Sequence, residues 1–569
     1  MACGIDSCKS VRLVFRAAIP FIDDCTALPP YLSWHSIDPH IASIRPLGRS
    51  ILWSVSDCLP HPADRYPFFL ANHWLGQRSC IVRCHHHGSC LCVVARHRKK
   101  GTQDQASQTL GQSMPGSPQR RFIWLLALIS AVYMLWLLAF WPGVLGQDSL
   151  AIILEVETDR VAQAGKPAFW YLYNLLLYAP WRLVEVPILI QMSVSTVVSA
   201  RILSWMLGER LYKSFWYCLF FVALAPSVLY YSIALYSDGI YAMAMMGMLF
   251  EIWRSHRARR LDTAACWMLA LTIPFALFAR PNGFINAIAL VALFFALPKL
   301  HRWRLLAITL PWCAIAIFAN SQYKYHTPIG SIFPLALYET VGFMEHRPMG
   351  LWEYNKPRIS QKSAEALTST GKSLNHIMKF HDHYYWDPLI FSDAGPALLH
   401  LPRQAKQTII KEFFKYNLWH NFPAFMASRV NIFLYASLAN GGLPPPEAAQ
   451  YILSQTKSES TVQFRELLPH RILMPWYNFA LEYRAIFWAP WLGIFLIIFT
   501  TAKAWRLRDR SSLIVCSIFT LQLTAVFFFS IAGEYRYLLS FFTAPLVLLP
   551  VLSHLPSKTS GKPLTQSAT

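Results

Sequence analysis

The chain has 569 residues, of which 54% are hydrophobic, 15% aromatic and only 14% charged. Soluble domains carry roughly 25% charged residues, so this composition excludes an ordinary soluble enzyme and indicates a protein that crosses a membrane several times. The net charge of +21 does not require nucleic acid as a partner, because the basic residues collect at the start of the chain and in loops between apolar runs.

Residues 1–113 are predicted to be a disordered or non-native N-terminal extension. They hold eight of the twelve cysteines and eight of the nineteen histidines, and these residue types bind zinc. The spacing in Cys80-Ile-Val-Arg-Cys84-His-His-His-Gly-Ser-Cys90-Leu-Cys92 differs from that of a zinc ribbon or finger, although zinc binding stays open as an alternative. Met114 begins a short polar, basic stretch directly before the first apolar run, which is typical of a natural start.

Apolar runs near the roughly 20 residues that a transmembrane helix needs recur from residue 122 onward. We therefore predict an all-α polytopic membrane protein with about ten transmembrane helices. The predicted spans are 122–140, 186–207, 214–235, 239–253, 263–279, 284–298, 305–320, 485–502, 511–531 and 537–553.

The positive charges between these runs predict the orientation of the chain. Lys and Arg of short loops stay on the cytoplasmic side of a membrane, and here they cluster in alternate loops, such as Arg254-Ser-His-Arg-Ala-Arg-Arg260. Both ends of the chain are therefore placed in the cytoplasm, and a large segment, 321–484, is placed outside. The predicted location is the cytoplasmic membrane, with the functional site facing the exterior.

Residues 167–181 are uncharged but too short to span a membrane, with a proline near each end and several Trp and Tyr that favour the interface. We predict that they form a juxtamembrane helix in the first exterior loop, beside a second such helix at 147–162. The predicted domains are thus the extension 1–113, a transmembrane module 114–320, the exterior segment 321–484 and C-terminal helices with a tail at 485–569.

Asp148 lies just where the first span ends, after Pro142 and Gly143. An Asp at this place is commonly a helix N-cap. Asp238, Arg280 and Arg536 fall at the same predicted side of the membrane, however, and charges at this depth tend to line a substrate path. Two carboxylates facing two arginines indicate an acid/base site for a phosphate-bearing ligand, with ion pairs that merely fix helix packing as the alternative.

These residues resemble the GT-C superfamily of membrane glycosyltransferases, which includes protein O-mannosyltransferases and lipid A aminoarabinose transferases. The resemblance covers roughly 120–320 and rests on an acid early in the first exterior loop (Asp148), on Gly165-Lys166-Pro167 followed by aromatic residues, and on a second acid at an exterior hairpin (Asp238). Ala168 stands where the superfamily often has a second proline, and Ser149 stands where it often has a glutamate.

The resemblance implies that a sugar is transferred from a polyprenyl-phosphate donor, with membrane lipid as a partner and a glycan, lipid or protein as acceptor. Asp148 would be the catalytic base and Asp238 the second catalytic acid, while Arg280 and Arg536 would bind the phosphate. Lys166, Pro167 and Glu534 would belong to the loops that hold donor and acceptor. Neither Asp lies in an acidic cluster of the DxD kind, so no metal and no other cofactor is predicted.

The exterior segment contains His381-Asp-His-Tyr-Tyr-Trp-Asp387, in which two His residues at i and i+2 fit either a metal site or an aromatic surface that contacts sugar or membrane. Two other function classes stay open. A surface-polysaccharide polymerase or ligase would depend on His381 or His420 of the large loop, and a lipid-linked substrate transporter or flippase would place charges near mid-membrane in repeated halves.

Overall fold

A computed structural model gives the fold of the chain. It describes residues 117–161, 164–325, 332–345, 359–392, 394–438, 449, 453–454, 458–487 and 490–555. The expectations for residues 1–113, including the zinc alternative, lie outside this part of the chain.

Regular structure in the described residues is helical, apart from two isolated bridges that pair Val144 with Ala234 and Tyr385 with Ala532. The α-helices are α1 Pro118–Ala139, α2 Gln147–Glu157, α3 Ala168–Leu177, α4 Glu185–Gly208, α5 Tyr212–Leu224, α6 Pro226–Ser232, α7 Ser237–Ala258, α8 Thr263–Phe278, α9 Ala287–Ala296, α10 Lys299–Gln322, α11 Phe333–Gly342, α12 Gln361–Thr368, α13 Leu374–Met378, α14 Pro388–Phe391, α15 Arg403–Glu412, α16 Leu418–His420, α17 Phe422–Ser437, α18 Leu468–Glu482, α19 Arg484–Phe487, α20 Trp491–Leu507, α21 Arg510–Phe529, α22 Leu539–Thr543 and α23 Pro545–His554. Tighter 3₁₀ turns cover Pro281–Asn286, Leu398–His400 and Tyr535–Leu538, and a π-turn covers Phe413–Asn417.

Six helical stretches among the described residues are long and apolar enough to cross a membrane. They are Pro118–Ala139, Glu185–Gly208, Lys299–Gln322, Arg484–Leu507, Arg510–Phe529 and Tyr535–His554. Each coincides with one of the predicted spans. The described chain is thus all-helical and has the helices of a membrane-embedded protein.

The predicted number of ten spans is not confirmed in the part of the chain that the structure describes. Helices α5 and α6, predicted as one span, are bent by 58° at their junction, and counting them together gives up to seven. The predicted spans 263–279 and 284–298 are shorter apolar helices. Helix α7 is 22 residues long but carries Glu251, whose buried carboxylate pairs with Arg201 and Arg254 at 2.7 Å each, so other helices rather than lipid surround much of it.

The chain turns sharply after α1 at Gly143. Its φ of +125° lies in the region that favours glycine, and a Cβ at this position would stand 2.6 Å from Ile188 Cδ1 and 2.8 Å from the Ile233 carbonyl oxygen. The close approach lets the Val144 N–H donate to Ile233 O at 3.1 Å and the Leu235 N–H donate to Val144 O at 3.1 Å. The turn after α1 is thereby attached to the segment that precedes α7.

Two short helices, α2 and α3, occupy the loop between α1 and α4, where two juxtamembrane helices were predicted. The buried carboxylate of Glu155 holds this loop together, since it accepts hydrogen bonds from Arg160 Nε at 2.7 Å, the Ala164 N–H at 2.9 Å and Tyr325 Oη at 2.9 Å. Burial raises the pKa of Glu155, although these three groups oppose the change. The loop that leads to Lys166 is therefore held at a fixed place.

The described residues form two hydrophobic cores. The larger one joins buried side chains of 125–305 with those of 477–551, together with Ala436, Ala449 and Leu453. The smaller one, which we call the second core, consists of buried side chains from Phe333 to Ile432, with Phe528 and Ile531 packed against it. Part of the predicted exterior segment thus has a core of its own, whereas α18 of the same segment packs on the larger core through Tyr477 and Ala480.

A buried ion pair connects the second core to the loop after α21. Arg429 is fully buried and donates to the Glu339 carboxylate and to the Ser530 carbonyl oxygen. Ser428 Oγ also donates to Glu339 Oε1, at 2.9 Å. Removing one partner of a buried pair leaves the other charge desolvated and uncompensated, which makes such a pair sensitive to single substitutions.

We expect Arg429→Met to destabilise the protein by about 3–5 kcal/mol, because Glu339 then stays buried without its cation. The double variant Arg429→Met/Glu339→Gln carries neither charge and should recover part of the loss. Unfolding midpoints in detergent, followed by tryptophan fluorescence, compare the two. A double variant no more stable than the single one would contradict the assignment.

Candidate functional site

Asp148 lies in the first turn of α2, directly after the turn at Gly143. Its carboxylate accepts from Lys166 Nζ at 2.5 Å and from the guanidinium of Arg536. Gly146, which precedes the helix, is the N-cap residue and has no side-chain cap, while Ser149 Oγ accepts the Gly146 N–H at 3.2 Å. Asp148 is therefore not the N-cap of α2; its carboxylate is held by two cations instead.

Both cations share one carboxylate oxygen of Asp148, Oδ2. Burial alone would raise the pKa of Asp148, but the positive charges of Arg536 and Lys166 outweigh it and hold the pKa of this carboxyl well below its usual range. Burial lowers the pKa of Lys166, and the Asp148 carboxylate partly offsets that effect. About a fifth of each side chain stays accessible, so the pair can be reached by a ligand.

Arg536 is presented by the 3₁₀ turn Tyr535–Leu538. Its guanidinium also pairs with Glu534, and its Cζ lies 5.2 Å from the ring centre of Tyr236 and 5.4 Å from that of Tyr537. Aromatic faces attract cations at such distances. Two rings and two carboxylates thus fix the direction in which this arginine points.

Asp238 is buried at the start of α7 and pairs with Arg280. Arg280 lies before the 3₁₀ turn Pro281–Asn286, which is tied to α21 because Asn282 Nδ2 donates to Gln522 Oε1 at 2.7 Å. The Arg280 guanidinium carbon is 5.1 Å from the ring centre of Tyr537. The ring of Tyr537 is therefore shared by the two predicted phosphate-binding arginines.

The structure brings together charged residues that the sequence analysis took from four separate parts of the chain. We call the set Asp148, Lys166, Asp238, Arg280, Glu534 and Arg536 the charge cluster. It contains three carboxylates and three cations, all held by ion pairs with one another. Pro167, which follows Lys166, is the N-cap residue of α3. An anionic ligand that binds the cations of this cluster therefore competes with the carboxylates that pair with them.

Residues 381–387 of the predicted exterior segment, which we call the strip, lie against the loop that carries Glu534 and Arg536. The Gly533 N–H donates to Tyr384 O at 2.8 Å, and Tyr385 forms a bridge with Ala532. Gly533 is needed there because a Cβ would stand 2.5 Å from the ring of Tyr435, which stacks on Tyr384 at 3.9 Å. The strip therefore forms a wall beside Glu534 and Arg536.

Asp387 belongs to this strip and was missed by the sequence analysis as a site residue. Burial, with the negative charge of Glu534 as the next cause, raises the pKa of Asp387 to about 6. The sequence offers no signal for this, because nothing in 381–387 indicates contact with a loop some 150 residues later. A carboxyl group with a raised pKa beside a carboxylate with a lowered pKa is a common arrangement for acid/base work.

The structure places the two histidines of the same strip beside Glu345, which follows α11. His381 Nδ1 is 3.1 Å and His383 Nδ1 is 3.6 Å from oxygens of the Glu345 carboxylate. Asp382, which lies between them, instead accepts the N–H groups of Tyr384 and Tyr385 at 2.7 and 3.0 Å. The contact of both histidines with Glu345 was not predicted from the sequence. His420, the other histidine considered, stacks on Tyr416 at 3.8 Å.

Comparisons with known proteins do not identify this chain: no family model, no curated protein and no solved structure matches it.

The opposite pKa shifts of Asp387 and Asp148 predict opposite effects of pH on stability. The pKa of Asp387 is raised to about 6, above the unfolded value of about 3.9. Its contribution to stability is therefore present at acid pH and lost as the pH rises through about 6. We expect Asp387→Asn to raise the thermal unfolding midpoint when it is measured at pH values above 7. This gain in stability should disappear as the pH is lowered towards 4.

Asp148 has a lowered pKa, so its contribution is present above about pH 4 and lost as the pH falls. Asp148→Asn should consequently lower the midpoint at neutral pH and have a smaller effect in acid. Thermal unfolding of both variants and the wild type at a series of pH values is the measurement. Effects of the same sign and the same pH dependence for both variants would contradict the electrostatic description of the site.

Proposed function

We propose that this protein is a glycosyltransferase that moves a sugar from a polyprenyl-phosphate donor to an acceptor, with inversion at the anomeric carbon. The observation that carries the proposal is the Asp148 carboxylate, which is shared by Lys166 and Arg536 next to the ends of membrane-length helices. A base and two phosphate-binding cations are the groups that such a transfer requires. The resemblance to GT-C enzymes at Asp148, Lys166 and Asp238 supports the same conclusion.

The location of the charge cluster fits a donor that is attached to a lipid. Its residues lie at or near the ends of apolar helices, such as Arg536 at the start of Tyr535–His554 and Asp148 after α1. A polyprenyl tail would stay among lipid while its phosphate and sugar reach the cluster. With the basic loops placed in the cytoplasm, this end of the helices faces the exterior of the cytoplasmic membrane.

In the proposed reaction the donor phosphate replaces Asp148 as the partner of Lys166 and Arg536. A carboxylate held between two cations is a weak base because its pKa is lowered, and loss of those partners to phosphate raises its pKa again. Asp148 then accepts the proton of the acceptor hydroxyl as that oxygen attacks the anomeric carbon. The bond from carbon to phosphate oxygen breaks, and polyprenyl phosphate leaves as an anion.

The remaining charges have distinct tasks. Arg280 and Arg536, on either side of the Tyr537 ring, stabilise the negative charge that develops on the leaving phosphate. Asp238 holds Arg280 in place, and Glu534 does the same for Arg536. Three cations supply the charge that a metal would otherwise provide, so we propose metal-independent transfer. Asp387, whose pKa is raised by burial and by the charge of Glu534, is proposed to hold a proton beside the charge cluster.

We expect Asp148→Asn, which removes the base but keeps the shape, to reduce sugar transfer by about 10²–10⁴-fold. The measurement follows labelled sugar from polyprenyl-phosphate donors in membranes where the wild type shows transfer. Asp159→Asn is the matched control, since Asp159 is an exposed acid just after the same helix with a φ of +47° that Asn adopts readily. It should transfer at the wild-type rate.

Unchanged transfer by Asp148→Asn, at equal protein level, would exclude Asp148 as the base. Loss of transfer on substitution of His381 or His420 instead would favour a polymerase or ligase of surface polysaccharide. Movement of lipid-linked sugar across the membrane without a new glycosidic bond would favour a transporter.

We expect Arg536→Gln to slow transfer by about 10²–10³-fold, because the leaving phosphate loses a charged donor. Both kcat and the KM for the donor should change, whereas the KM for the acceptor should not. Arg210→Gln is the control, since Arg210 belongs to one of the basic loops on the opposite predicted side. A change confined to the acceptor KM would contradict the phosphate-binding role of Arg536.

A further inference from the structure

Outside the charge cluster, a second group of polar side chains with metal-ligating chemistry lies in the predicted exterior segment. Glu345, His381 and His383 each offer one ligand atom, and these atoms all lie within 4.8 Å of one another. It is the one group of three or more His, Cys, Asp or Glu side chains with this spacing in the part of the chain that the structure describes. Glu345 follows α11, and the two histidines come from the strip after α13.

The spacing of the ligand atoms agrees with that of a zinc coordination sphere. Bonds of about 2.0–2.1 Å in a tetrahedron place neighbouring ligand atoms about 3.3 Å apart. Glu345 Oε1 lies 3.1 Å from His381 Nδ1, and Glu345 Oε2 lies 3.6 Å from His383 Nδ1. The three side chains are therefore close enough to surround one ion.

Packing restrains the ring of His381 with its Nδ1 towards Glu345. The His381 side chain is 6% exposed, its ring lies 5.2 Å from that of Tyr338, and Gly342 leaves room for its Nε2, which would be 3.1 Å from a Cβ there. Nε2 is buried without a hydrogen-bond partner, while Nδ1 faces Glu345.

His383 is 43% exposed and Glu345 is 25% exposed, so one side of the group is open to solvent. Two imidazoles and one carboxylate form a ligand set that suits Zn²⁺, with water in the fourth position. An all-oxygen set would have favoured Ca²⁺ or Mg²⁺. We propose that Glu345, His381 and His383 bind one zinc ion.

The ion would support the wall beside the charge cluster. Asp382 fixes the backbone just after His381, by accepting two N–H groups, and Tyr384 and Tyr385 attach that backbone to Gly533 and Ala532. Joining α11 to this strip through zinc therefore restrains the segment that carries Asp387. This restraint does not depend on glycosyl transfer being the reaction.

The site is tested by measuring how much zinc the full chain binds after purification without a polyhistidine tag. The variant is His383→Gln, because its exposed side chain can be replaced without opening the second core. The control is His400→Asn, which replaces an exposed histidine of the same segment. Zinc per chain is measured by atomic spectrometry after equilibration with Zn²⁺, and unfolding midpoints are measured with and without a chelator.

We expect wild type and His400→Asn to hold one more zinc per chain than His383→Gln. Comparing variants of the full chain removes any contribution from cysteines and histidines of residues 1–113, which all three proteins share. The chelator should lower the midpoint of wild type by several degrees more than that of His383→Gln. Co²⁺ substituted at this site should lack the thiolate-to-metal absorption of a cysteine site in the difference spectrum.

Equal zinc content in wild type and His383→Gln would overturn the proposal and leave the three side chains as a hydrogen-bonded group. Equal loss of zinc in His400→Asn and His383→Gln would overturn it as well, because the binding would then be nonspecific.

Discussion

The Asp148 carboxylate, shared by Lys166 and Arg536, is the interaction on which the arrangement of the site depends. It joins the first loop, the start of α3 and the C-terminal turn before α22, which are 388 residues apart at the extremes. Three segments that are separate in the sequence therefore meet at one carboxylate oxygen, Oδ2 of Asp148. The same interaction keeps Asp148 ionised and weakly basic in the absence of an anionic ligand.

The elements around this interaction restrict its geometry from several sides. Glu155 holds the loop that carries Lys166, and the turn at Gly143 attaches the start of α2 to the segment before α7. On the other side of the site, Arg429 donates a hydrogen bond to the Ser530 carbonyl oxygen, and the Gly533 N–H donates to Tyr384 O. Both contacts restrain the loop just before Arg536. The second core thus contributes to the site indirectly, by positioning the loop from which Arg536 projects.

The sequence was sufficient to predict the helical membrane class, six of the spans and the charged residues of the cluster. Apolar length indicates a span directly, and the alternation of basic loops placed Asp148, Asp238, Arg280 and Arg536 on one side, where packing then brought them together. The predicted span at α7 is not confirmed by apolar length, because this helix is surrounded by protein and its buried Glu251 pairs with two arginines.

Other features depend on contacts that no local pattern reveals. Asp387 and Glu345 became relevant only through packing of the strip 381–387 against Ala532 and α11. The alternative N-cap role of Asp148 fails because Gly146 is the N-cap residue of the helix and two distant cations bind the Asp148 carboxylate. Whether a charged side chain caps a helix or binds a distant ion is decided by tertiary structure.

The central claim is that a ligand phosphate competes with Asp148 for Lys166 and Arg536. The most direct measurement is the affinity of polyprenyl phosphate for wild type and for Asp148→Asn in lipid nanodiscs. We expect Asp148→Asn to bind polyprenyl phosphate several-fold more tightly, because both cations are released, and we expect added Arg536→Gln to remove the gain. Weaker or unchanged binding by Asp148→Asn would contradict this competition, since the phosphate would then not occupy the position of the Asp148 carboxylate.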